Sequence, residues 1–136
     1  MKFLLSFILA ATLATPALAA PAPKDPVASP ELQKEFNSFI EKFRAAVKAN
    51  DPAAVAGMSK MPFMSHTDEY SAAEFRDKVY KTNFTPKVRA CIQRAKALYQ
   101  RDGEKNENFF IFCGDAMFTF TKAPAGFQFV EIGVND

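Results

Sequence analysis

The sequence predicts a single α+β domain, with helices packed against an antiparallel sheet. Three observations carry that prediction. Apolar residues between Leu32 and Val47 recur at helical spacing. Helix-start signals, at Ser29-Pro30, Asp51-Pro52, Ser71 with Glu74 and Thr85-Pro86, are confined to the first two thirds of the chain. After Asp102-Gly103 the pattern changes to short Phe- and Thr-rich runs bounded by turn residues, which is the signature of strands.

The chain starts as a secretory signal does. Lys2 supplies a positive end, residues 3–13 form a nearly unbroken apolar run, and Pro16 separates that run from small residues. Ala17 and Ala19 have the size that cleavage after residue 19 requires, so Ala20 is the expected mature N-terminus. The run falls short of the roughly 18 to 20 residues a bilayer crossing needs, and no Cys stands at the cut for lipid attachment. The predicted product therefore has no membrane span and a periplasmic or secreted location. Residues 20–29, with Pro21, Pro23 and Pro26, read as an extended, flexible leader. Removing 19 residues from 136 leaves 117, the size of one domain. Of the 17 basic side chains only Lys2 leaves with the signal, so 16 face 15 acids and net charge selects no partner. The apolar side is distinctive in kind, with 15 Phe and no Trp, which suits a greasy interior with few polar handles.

Each element follows from local chemistry. Ser29 and Pro30 open the first helix as cap and first-turn proline, and Leu32, Phe36, Phe39, Ile40, Phe43 and Val47 make one apolar stripe opposite Lys34, Glu35, Glu41 and Lys48. Asn50-Asp51-Pro52 stops it and starts a short helix to about Met58. Residues 61–66 read as a strand shortened by Pro62. Ser71 and Glu74 have the spacing of a capping box, opening a helix with Phe75, Val79 and Tyr80 inward. Thr85-Pro86 opens another, expected over residues 85–101, because Val88, Cys91, Ile92, Ala95, Leu98 and Tyr99 continue along one arc. Strands are predicted at 108–113, 116–122 and 127–134, the last two joined by a turn through Ala123-Pro124-Ala125-Gly126. In the final hairpin both faces are substantially apolar. A second layer, most simply a homodimer through the sheet, is the expected cover.

The series Phe36 to Phe63, with its Ala-Asn-Asp-Pro break and Met61-Pro62-Phe63, resembles small exported bacterial proteins of the nuclear-transport-factor-2-like superfamily. The Asn83-Phe84-Thr85-Pro86-Lys87-Val88 helix start and the Gly114-Asp115 to Asn135 hairpin share that resemblance. It implies a cone-shaped fold in which a strongly curved sheet wraps around helices and leaves a pocket. The chain departs from many relatives in having Phe127 where they have Trp. In enzymes of that superfamily His, Asp or Tyr projects into the cone, which implies His66 with Asp68 or Asp115 as an acid/base pair.

Other candidates come from the residues directly. Cys91 and Cys113 are the only cysteines, and export to an oxidising compartment predicts a bridge between them, with two buried thiols as the alternative. Two Cys and one distant His lack a compact metal-ligand spacing, so no metal is expected. His66 lacks an evident orienting partner and also reads as a surface or capping residue. Glu131 follows Phe127 and Phe129 at strand spacing; on their face it would be a carboxylate in an apolar pocket with Phe63, His66 and Phe118, and otherwise it lies outside. Lys87, Arg94 and Arg101 recur every seven residues beside Arg89 and Lys96, which predicts a basic helix face for an anionic partner or simply for solvent. No phosphate loop, nucleophile elbow or nucleic-acid stacking motif is present, and no cofactor is expected.

The sequence therefore reads as a noncatalytic exported binding or accessory protein, taking a small apolar ligand or an envelope protein. An acid/base enzyme built on His66, Asp115 or Glu131 and an inhibitor or immunity-type interaction protein are the alternatives. Convergence of those polar groups on one cavity separates the enzyme from the others.

Overall fold

A computed structural model describes residues 16–17 and 26–135 of the chain. The expected signal peptide, its cleavage point and most of the leader lie outside them. Helix α1 (Pro30–Lys48) begins where Ser29 Oγ accepts the Leu32 N–H, and it buries Phe36, Ile40, Phe43 and Val47. Helix α2 (Pro52–Gly57) is capped by Asp51, which accepts the Ala54 N–H at 3.0 Å. Both caps satisfy amide groups that a helix start leaves unpaired.

Strand β1 (Ser59–Ser65) starts two residues earlier than expected, and a turn at His66 leads into β2 (Asp68–Tyr70), a strand the sequence did not signal. Three residues of Asp-Glu-Tyr carry no alternating pattern to read. Helix α3 follows without a break, from Ala72–Glu74 through a π-wound stretch, Phe75–Tyr80, to Lys81–Asn83. The Ser71–Glu74 capping box is formed in both directions.

Helix α4 (Pro86–Arg94) ends seven residues before the expected boundary, and Leu98–Arg101 is a strand, β3. The apolar arc through Leu98 and Tyr99 favoured continuation, but tertiary contacts override it. The Arg44 guanidinium of α1 donates to the carbonyls of Ile92 and Ala95 at 2.9 and 2.6 Å, taking acceptors at the helix end. Ala95 is extended, and β3 pairs with β4 (Glu107–Cys113). Strands β5 (Ala116–Ala123) and β6 (Gly126–Val134) complete the structure through a tight turn at Pro124-Ala125.

The six strands form one curved sheet in the order β2-β1-β6-β5-β4-β3. It is not antiparallel throughout: β1 and β6 run parallel, while the other pairs are antiparallel. The long stretch between β1 and β6, holding two helices and a three-stranded meander, supplies the crossover that a parallel pair requires. The β1–β6 register shifts between Ser59 and Met64, where Pro62 has no N–H to give a ladder. A second irregularity lies in β6. Phe120 pairs with Phe129 and Thr119 with Glu131, so Val130 is an extra residue.

Helices cover the inner face. Phe36 of α1 stacks on Phe109 with ring centroids 3.8 Å apart, and Phe43 meets Phe120 and Phe129 edge-on. Phe129 is the hub, contacting the rings of Phe43, Phe63, Phe75, Phe84, Phe118 and Phe120. Edge-to-face geometry of this kind adds to the gain from burial alone.

Candidate functional site

The interior of the curved sheet is filled. Phe36, Phe43, Phe63, Phe75, Phe118 and Phe129 are each no more than 1% exposed, so the concave side is packed aromatic core. Phe63 and Phe118, expected to line a pocket, are enclosed in it. The opposite face carries a row that crosses every strand in register: Leu98, Phe110, Thr119, Glu131, Met64 and Glu69.

Of the two positions the sequence left open for Glu131, that row gives the outer one and not a place with Phe127 and Phe129. The extra residue at Val130 makes both Val130 and Glu131 point outward before Ile132 turns back into the core. A bulge shifts the side-chain alternation by one. Glu131 lies beside Lys60, Met64 and Glu69 on the outer surface instead. In the same row the Thr119 hydroxyl is buried and has no hydrogen-bond partner among the described residues.

His66 is exposed, with a left-handed backbone at φ 56°, and its N–H donates to the Ile132 carbonyl. Asp115 is exposed in the β4–β5 turn, on the other side of β6, where its carbonyl accepts the Asn135 N–H. Among the described residues no ion pair joins His66 to Asp68, Asp115 or Glu131.

The basic residues also separate once α4 ends at Arg94. Lys87, Arg89 and Arg94 are on the helix, Lys96 is in the connection, and Arg101 is on β3 in an ion pair with Glu107. The seven-residue repeat therefore defines no continuous helix face. Tyr99 donates to the same Glu107 carboxylate, and that bond, together with burial, pushes its phenol above the ordinary value. Cys91 and Cys113 are disulfide-bonded, with Cα atoms 5.9 Å apart, joining α4 to the end of β4. Helix and strand converge there closely enough for a bridge.

A groove lies at the β3 edge. It has a volume of about 560 Å³ and is lined by Val27, Ala28, Ala97, Leu98, Phe110 and Phe112 among others. Leu98 and Val27 are 49% and 86% exposed. The sequence signal for this site was present but misassigned: Leu98 fell on the apolar arc of an expected helix, and the structure puts it on an edge strand. Among the described residues no cluster of three or more His, Cys, Asp or Glu side chains is placed to hold a metal, and no helix is long and apolar enough to cross a membrane.

Fold and surface together define a small α+β protein with a filled aromatic interior and its grooves on the outside. No protein-family model matches the chain, and no curated protein matches it. Among solved structures it is similar to an NTF2-like protein with a cystatin-like fold from Novosphingobium aromaticivorans. The two are 14% identical, with 78% of this chain and 83% of that chain covered and a TM-score of 0.43.

Proposed function

We propose that this chain is a noncatalytic, exported binding protein that takes a small apolar ligand in the groove at the β3 edge. The observation that carries the reading is the exposed apolar lining of that groove, set against an interior already filled by Phe rings. Its volume of about 560 Å³ falls in the range of small-molecule sites. Export rests on the N-terminal sequence and on the Cys91–Cys113 bridge, which persists in oxidising compartments. The acid/base alternative has less support, because His66, Asp115 and Glu131 occupy a turn, another turn and the outer sheet face.

The half-buried outer row of Phe110, Phe112, Met117 and Met64 favours a second reading, a homodimer through the sheet. One sample distinguishes the two. Titration of the purified protein with Nile red, a neutral apolar dye, is expected to give one-site saturable binding. Leu98→Asp should weaken it by about tenfold or more, because the carboxylate must lose water to enter the groove. Absence of saturable binding, or undiminished binding by a normally folded Leu98→Asp protein, overturns the ligand reading. A dimer in sedimentation velocity that Leu98→Asp converts to monomer establishes the second.

A further inference from the structure

A second cavity, on the helical side of the molecule and separate from the groove, has a volume of about 320 Å³ and a different character. Three cationic side chains surround it: Arg76 and Lys81 from α3 and Arg89 from α4. Its wall contains Tyr80 and Phe84, whose rings stack 4.5 Å apart, and Asn50 from the end of α1.

The winding of α3 brings two of these cations together. Arg76 and Lys81 are five residues apart, which in an α-helix leaves them about 140° apart around the axis. Phe75–Tyr80 is π-wound, and its i to i+5 repeat brings residue 81 back over residue 76. The same repeat turns both Phe75 and Tyr80 into the core. Such π-wound turns are rare and concentrate at functional sites.

The polar groups are oriented. Tyr80 is buried and its hydroxyl donates to Asn50 Oδ1 at 3.0 Å, which leaves the Asn50 amide N–H groups as its donor end. Burial pushes the Tyr80 phenol above its ordinary value, and the adjacent Arg89 guanidinium opposes that shift. Among the described residues the ion pairs are Lys78–Glu74, Arg101–Glu107 and Lys122–Glu35, so none of Arg76, Lys81 and Arg89 is neutralised. Asp51 is the nearby acid acting on Tyr80, and its carboxylate is committed to capping α2. Asp77 is exposed on α3 next to Arg76 in sequence.

We propose that Arg76, Lys81 and Arg89 form a binding site for a phosphate monoester. Three cations against one nearby capping carboxylate match a dianion, and donors arriving from two helices match a tetrahedral oxyanion better than a planar carboxylate. Tyr80, Phe84 and Pro52 give the organic part of the ester an apolar wall. The ester is either a free small molecule or the phosphomonoester headgroup of phosphatidic acid, which present the same group.

The test is isothermal titration of the purified protein with glycerol 3-phosphate, and a parallel co-sedimentation with phosphatidylcholine vesicles with and without phosphatidic acid. Saturable one-site binding that weakens with salt is expected, and Arg89→Gln should reduce affinity by about tenfold or more. Arg76→Gln/Lys81→Gln, which changes two exposed side chains, should do the same with an unaltered melting curve. Binding to glycerol 3-phosphate assigns the site to a free ester; binding to phosphatidic acid vesicles alone, sensitive to the same substitutions, assigns it to the lipid. The proposal is overturned when neither probe binds saturably, or when the double variant binds both as the unmodified protein does. Its failure leaves the β3-edge groove untouched, since Leu98 lines that groove and none of these three cations does.

Discussion

Single residues show where the chain departs from the pattern around them. Thr119 stands in the outer row between Phe110 and Glu131, its hydroxyl buried without a partner. A buried hydroxyl that lost water and gained no bond costs about 1–3 kcal/mol. Thr119→Val keeps the β-branched shape and removes that oxygen, so it is expected to stabilise the fold by about 1 kcal/mol and raise the thermal midpoint by a few degrees. A lower midpoint would show that the hydroxyl is bonded in solution. Glu131 teaches the complementary lesson: two-residue alternation from Phe127 and Phe129 assigns it inward, and one extra residue at Val130 reverses the assignment. Nothing local to Val130 announces the bulge, because Val is an ordinary strand residue.

Among the elements, α4 and β3 owe their boundary to α1. Arg44 donates to the Ile92 and Ala95 carbonyls, and Gln93 Nε2 donates back to the Arg44 carbonyl at 2.9 Å. These three bonds tie the end of α4 to the last third of α1, while the Cys91–Cys113 bridge ties it to β4. Arg44→Ala removes the two charge-assisted bonds and is expected to cost about 2 kcal/mol, read as a lower urea midpoint with unchanged slope. Hydrogen exchange should speed up first at Leu98–Arg101, the edge strand held by β4 on one side. Uniform loss of protection across the sheet would instead make Arg44 a general core support.

For the whole molecule, the decisive feature is that one ring connects helices and sheet. Phe129 contacts rings from α1, β1, α3, the α3–α4 connection and β5, and is wholly buried. Phe129→Ala is expected to cost about 3–5 kcal/mol, since neighbours from so many elements cannot all collapse into the space. Helical and aromatic signals should be lost in one coincident urea transition, whereas separated transitions would show that the helices hold together without the sheet. With the interior filled, both binding proposals fall on the outside, at the groove beside Leu98 and the cavity between α3 and α4.

The starts of α1, α2, α3 and α4 were legible in the sequence because a cap and its proline or glutamate act over three or four residues. The strands from Glu107 onward were legible for the same reason: turn residues and alternation are local. The sequence by itself also pointed to an aromatic core, with 15 Phe and no Trp, and Phe rings fill much of it beside Ile and Val. Tertiary structure decided what depends on distant partners: the stop of α4 at Arg94 under Arg44, the parallel pairing of β1 with β6, and the outward face of Glu131. It also decided both candidate sites, because Leu98 changes from helix to edge strand, and Arg76 and Lys81 of α3 line one cavity with Arg89 of α4. Such groupings follow from long-range packing and register, to which a pattern read over a few neighbouring residues is blind.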